Sequence, residues 1–116
     1  MATLTVGTSG RTAAAAYDLS SLTAAAGGGD VFANDGQTYF VIKNGDGSDH
    51  TVTFGIQLTV DGITPTAAAQ NVVAGHTRVF GPFPSGVYNN GSGQVAVTYS
   101  AVTSVTVGAF KAPPAG

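Results

Sequence analysis

The sequence predicts an all-β protein, a single antiparallel β-sandwich of jelly-roll-like or barrel-like form with an irregular N-terminal arm. Three observations predict it. First, 51–58 (TVTFGIQL) alternates strictly, and 94–100 (QVAVTYS) and 103–110 (TSVTVGAF) alternate through Val95, Val97 and Tyr99 and through Val105, Val107 and Ala109, the period of a strand with one buried face. Second, Val, Thr, Phe and Tyr carry the chain, Glu is absent and Lys occurs only twice, so residues suited to pleated surfaces replace the usual exposed helix formers. Third, 17 Gly and 5 Pro cut the chain into short runs at the spacing of a sandwich or roll.

The elements follow in order. Residues 2–6 (ATLTV) form a first short strand. Residues 7–30 are a low-complexity arm, in which the Ala run favours helix but Gly27-Gly28-Gly29 and the close spacing of Tyr17, Leu19 and Leu22 oppose a long one. Asn34-Asp35-Gly36 is a turn signal before a strand at 37–43 (QTYFVIK). NGDGSD (44–49) reads as the turn of a hairpin joining that strand to 51–58. Two short strands, 71–73 and 76–80, flank Ala74-Gly75. A tight turn near Ala101-Val102 makes 94–100 and 103–110 a closing hairpin. The inward set is then Phe40, Ile42, Val52, Phe54, Ile56, Leu58, Val79, Val95, Val97, Tyr99, Val105 and Val107. The expected organisation is an arm over 1–30, a sandwich over 31–111 and a Pro-rich tail over 112–116, where Pro113 and Pro114 lack the ladder donor.

Composition narrows the function. Charged residues are 9% of the chain against an ordinary figure of about 25%. Arg11, Lys43, Arg78 and Lys111 are too few to neutralise a phosphate backbone, so no nucleic-acid partner is expected. A domain so poor in charge either solvates itself through Thr, Ser and Asn hydroxyls and amides or meets other protein subunits, because interface cores are depleted in charge. The absence of cysteine excludes disulfides, thiolate metal sites and a thiol nucleophile. No apolar run approaches the roughly 20 residues that span a bilayer, and no basic stretch precedes an apolar one at the start, so neither a membrane partner nor a signal peptide is expected.

No motif in the sequence completes a catalytic or metal site. Asn44, Asp46 and Ser48 begin like a calcium loop, but Asp49 and Gly55 stand where that loop needs Gly and Glu, so the segment reads as a polar turn. His50 and His76 have no liganding neighbour at metal-site spacing and read as partly exposed strand ends. The six aspartates fall in the arm and turns, where they cap backbone N–H groups. No G-x-S-x-G elbow occurs, and no Lys or helix follows the triple glycine as a phosphate loop requires. No enzymatic activity, metal or cofactor is expected. Phe80-Gly81-Pro82-Phe83 is read as a buried strand end and proline-fixed corner.

From Gly29 to Lys111 the chain resembles a family of short virion proteins encoded among the head genes of tailed double-stranded DNA phages. The resemblance lies in GGDVFANDGQTYFVIKNGDGS, VVAGHTRVFGPFPSGVYNNGSGQVAVTYS and SAVTSVTVGAFK, and in their order. It implies a decoration (cement) protein on the outer surface of the phage head. It further implies the major capsid protein as partner and a homo-oligomer, a trimer by analogy. On this reading the arm supplies the capsid contacts, through Leu4, Arg11, Tyr17, Leu19 and Leu22. The alternatives are a tail or collar structural protein, or a carbohydrate-binding module using Tyr17, Tyr39 and Tyr88.

Overall fold

The structure, a computed structural model, describes residues 2–8, 22–57, 61–63 and 69–111. Its strands, in chain order, are β1 (Ala2–Leu4), β2 (Val6–Thr8), β3 (Thr23–Ala24), β4 (Asp30–Ala33), β5 (Thr38–Asn44), β6 (His50–Phe54), β7 (Ala69–Val72), β8 (Thr77–Phe80), β9 (Gln94–Tyr99) and β10 (Val105–Lys111). One helical turn, α1 (Ser85–Tyr88), interrupts them. Two sheets face each other as a β-sandwich. The first runs β1-β4-β9-β6-β7; the second runs β2-β10-β5-β8, with β3 also on β10. Both sheets are mixed rather than purely antiparallel, because β1 joins β4 and β2 joins β10 in parallel.

The expected hairpins are not hairpins. β5 lies between β10 and β8 in the second sheet, whereas β6 lies between β9 and β7 in the first. NGDGSD therefore carries the chain across the sandwich as an arch. The closing pair separates in the same way, β9 into the first sheet and β10 into the second. Side-chain chemistry builds the first arch. The buried Asn44 donates from Nδ2 to the carbonyls of Ser48 (2.8 Å) and Val72 (3.0 Å), and its Oδ1 accepts from the Asp46 N–H (3.0 Å). The second arch is tied to it by the Gly45 N–H donating to the Ser104 carbonyl (2.9 Å), with Ser104 in the left-handed region (φ 55°).

The core is an aromatic and valine layer between the sheets. Phe32 and Phe40 stack across it at 5.5 Å, Phe54 meets Phe40 edge-on at 5.5 Å, and Phe83 lies 4.7 Å from Phe54. Eight of the expected inward residues are buried: Phe40, Ile42, Val52, Phe54, Val95, Val97, Val105 and Val107. Tyr99 and Ile56 are half-buried, and Leu58 lies outside the described residues. Val79 is a correction: it is 52% exposed, and Phe80, one position on, packs against the core instead. Since side chains alternate along a strand, that single-residue shift reverses the whole of β8. β3 and β4 were not expected, yet β4 supplies Phe32, which has no exposed surface. Its Gly29 entry is sterically compelled: at φ +95° an added Cβ would stand 2.7 Å from the Val97 carbonyl oxygen.

The first strand also departs from expectation. ATLTV divides at Thr5 into β1 and β2, one for each sheet. Leu4 is 7% exposed and belongs to the core cluster, with Val6 packed against it. The boundary at residue 30 therefore cuts through the sandwich, whose described edge begins at residue 2.

Candidate functional site

Strand register sorts the surface into regions of different chemistry. On the outer face of the first sheet, Thr3, Val31 and Ala96 stand opposite one another across β1, β4 and β9, as do Thr98, Thr53 and Ala69 across β9, β6 and β7. Ala33 with Gln94 and Thr51 with Asn71 complete it. Their neighbours Phe32, Val95, Val97, Val52 and Val72 are buried in the core, so alternation turns this set outward. Among the described residues of these five strands, no charged side chain lies on that face; Val31 within it is buried, and the exposed Asp49 carboxylate reaches Asn71 at its margin.

The second sheet's outer face differs. Tyr39 and Phe110 stack there at 5.5 Å, Lys43 stands on the same strand face, and Val79 is exposed. Between the sheets, beside β7 and β8, opens a groove of about 430 Å³ lined by Phe54, Gln70, Phe80, Pro82, Phe83, Pro84, Val87 and Tyr88. Sequence fixes its wall locally. Gly81 carries φ +124°, and an added Cβ would stand 3.0 Å from the Thr38 carbonyl oxygen, so the chain turns where only glycine fits. Asn34 donates to the Phe83 carbonyl (2.9 Å) and to Asn89 Oδ1 (2.7 Å), holding Phe83 against Tyr88, whose ring meets it edge-on at 5.4 Å. The Phe80–Phe83 corner thus combines the expected buried Phe83 with an open aromatic wall.

The ionisable groups among the described residues lie in separate hydrogen-bonded settings. His50 is buried, a correction to its reading as a partly exposed residue, and its Nε2 lies 2.9 Å from Asp46 Oδ2. Asp49 is exposed; the Ala74 N–H (2.9 Å) and the Asn71 amide (3.3 Å) hold its carboxyl below the usual range. Asp35 is lowered chiefly by the Gln37 N–H and also by Lys111, 3.6 Å away. Asp30, expected in the arm, instead opens β4 with no exposed surface, at the opposite end of that strand from Asp35. Its Oδ2 accepts from the Tyr99 hydroxyl (2.6 Å) and the Ala26 N–H (3.2 Å), while Oδ1 has no partner. Burial, and then the hydrogen bond to Asp30, push the Tyr99 hydroxyl far above its ordinary value. Among the described residues no three His, Asp or Glu side chains converge to hold a metal ion.

Of the five expected contact residues, Leu4 and Leu22 lie among the described residues. Leu4 is core, because β1 lies on β4 and turns it into the gap between the sheets; it is corrected from a contact to a packing residue. Leu22 is half-buried just before β3. Arg11, Tyr17 and Leu19 lie outside the described residues. The uncharged face was missed, although the outward residues of the alternating segments are its Thr, Ala, Gln and Asn, a signal visible once they are collected. Compared with known proteins, the chain matches no family model, no curated protein and no solved structure.

Proposed function

We propose that the protein is a non-enzymatic virion structural protein, a decoration protein that binds the outer surface of a phage head through the major capsid protein and stabilises the lattice. The observation that carries this reading is the uncharged outer face of the first sheet. A five-stranded surface of Thr, Ala, Asn and Gln carries no strand charge to be desolvated on contact with another protein, and depletion of charge is what marks the centre of an interface. The sequence resemblance supports the same reading. Stabilisation follows from mass action: a protein that binds the assembled lattice but not its separated subunits favours the lattice by RT ln(1 + [L]/Kd), about 2.7 kcal/mol per site at a hundredfold excess over Kd. Many sites on one particle add.

The test is co-sedimentation with heads assembled without the protein. Thr98→Glu and Ala96→Glu each place a charge on the face while leaving the core untouched. Binding at least about tenfold weaker with an unchanged melting temperature is expected, a cost of about 1.4 kcal/mol. Full-strength binding by both variants removes the face from the contact, and failure of the unaltered protein to bind heads removes the reading.

The groove beside β7 and β8 favours a second reading, a carbohydrate-binding module. Aromatic walls with a single amide, Gln70, suit the apolar face and hydroxyls of a sugar ring. Binding on a glycan array that is lost on Tyr88→Ala, with head binding intact, selects this alternative.

A further inference from the structure

We infer that the free edge of β8 takes up a strand from a partner protein, an extended segment that sets an acidic side chain beside Arg78 and an apolar one beside Phe80. Such a strand needs neither a phage head nor a glycan, so it stands apart from both functional readings.

The hydrogen-bond phase of β8 is fixed where the strand begins. The Asn44 N–H donates to the His76 carbonyl (3.0 Å) and the Gly75 N–H to the Asn44 carbonyl (2.8 Å), with Gly75 in the left-handed region at φ 78°. In an antiparallel pair, bonded positions recur at every second residue, so Ile42 bonds Arg78 and Phe40 bonds Phe80. The other side of β5 keeps the same phase: the Gly45 N–H donates to the Ser104 carbonyl, and Lys43, Val41 and Tyr39 turn their backbone groups to β10. The N–H and C=O groups of Thr77 and Val79 therefore point away from β5. β8 ends its sheet, so among the described residues no strand receives them.

Side chains divide along β8 in the same register. Arg78 and Phe80 share the face of the buried Ile42 and Phe40, toward the gap between the sheets, where Phe80 walls the groove of about 430 Å³. Val79 stands on the opposite face and is 52% exposed. Arg78 is exposed, and the ion pairs of the described residues, His50 with Asp46 and Lys111 with Asp35, leave it without a carboxylate.

Charge selects the occupant. Two β8 edges that pair symmetrically, Thr77 of each bonded to Val79 of the other, set Arg78 opposite Arg78, and like charges in that position repel. An acidic side chain in the same place attracts. A sugar in the groove stacks on the aromatic wall but leaves Val79 and the free backbone groups unused. An added strand uses them all: main-chain bonds supply affinity, and alternate side chains supply specificity. In the antiparallel sense, the more stable ladder, the partner reads apolar, apolar, acidic opposite Phe80, Val79 and Arg78.

The probe is a fluorescein-labelled, end-capped peptide, Ser-Leu-Val-Glu-Thr-Ser, titrated with the full chain and followed by fluorescence anisotropy. Saturable binding is expected. Arg78→Glu should weaken it at least about tenfold with an unchanged melting temperature, and the peptide with Lys in place of Glu should bind that variant as the original binds the parent. An N-methyl group on the peptide valine, which faces Val79, removes a main-chain donor without altering the protein and should abolish binding. No saturable binding up to about 1 mM overturns the inference. So does full-strength binding of the N-methylated peptide, or an Arg78→Glu protein that binds the Glu and Lys peptides alike. Glycan binding through Tyr88 with no binding of the peptide also overturns it, and leaves the sugar reading standing.

Discussion

The two long edges of the sandwich are built differently. At one edge β1 lies on β4, and β2 and β3 lie on β10, so both sheets end in a strand contributed by the N-terminal quarter of the chain. At the other, β7 and β8 are edge strands of four residues each, mostly exposed. The closed edge drives Leu4 and Val6 into the gap between the sheets, while the open edge leaves that gap as a groove walled by Phe80, Phe83 and Tyr88. The difference shows that the gap, rather than the strand edge alone, must be managed. An apolar segment fills it at one side; at the other, a proline-rich corner and one helical turn partly cover it, and the short β8 carries Arg78, a usual protection against edge-to-edge pairing.

The sharpest test of this contrast is truncation. Removing residues 1–8 deletes two parallel pairings and Leu4 together and should lower the melting temperature more than any single substitution at the edges. A melt unchanged by this truncation would mean that the closed edge contributes nothing. Leu4→Ala alone should cost about 2–4 kcal/mol, read from the urea midpoint, because it opens a cavity in a packed core. Tyr99→Phe should cost about 1–3 kcal/mol by depriving buried Asp30 of its hydroxyl donor. Tyr99 also sets a pH dependence. Its folded value is raised, so its stabilisation is complete below the ordinary tyrosine value near 10 and is lost as pH rises above it, where only the unfolded form ionises. Stability should fall in alkali, and Tyr99→Phe should flatten that fall. At the open edge, Val79→Thr should shift stability by no more than about 0.5 kcal/mol, since the side chain is half exposed. A loss as large as that of Leu4→Ala would show that the open edge is covered in solution.

Much of the interior was legible in the sequence, because burial of one strand face imposes a period of two whichever partner lies alongside. Val52 and Phe54, Val95 and Val97, and Val105 and Val107 announced their strands and their inward faces. The uncharged face was legible in the same runs, from the residues between. Less visible were short segments such as DVFA at β4, where Asp30, Val31 and Phe32 are all buried and no alternation shows.

By itself, then, the sequence determined that the chain is a sandwich of short strands and which side of most strands faces its centre. Tertiary structure alone decided which sheet each strand joins. Alternation states that one face is buried, but a hairpin and an arch bury the same residues from the same pattern. The choice was made by partners distant in sequence: β9 with β4 and β6, and β10 with β5. The two sides of Asn44 illustrate the limit. Read along the chain it is a turn residue, yet its amide reaches the Val72 carbonyl, and that contact helps turn an apparent hairpin into a crossing between sheets. The fate of ATLTV was decided in the same way, by an open gap between β4 and β10 that no local pattern at residues 2–8 describes.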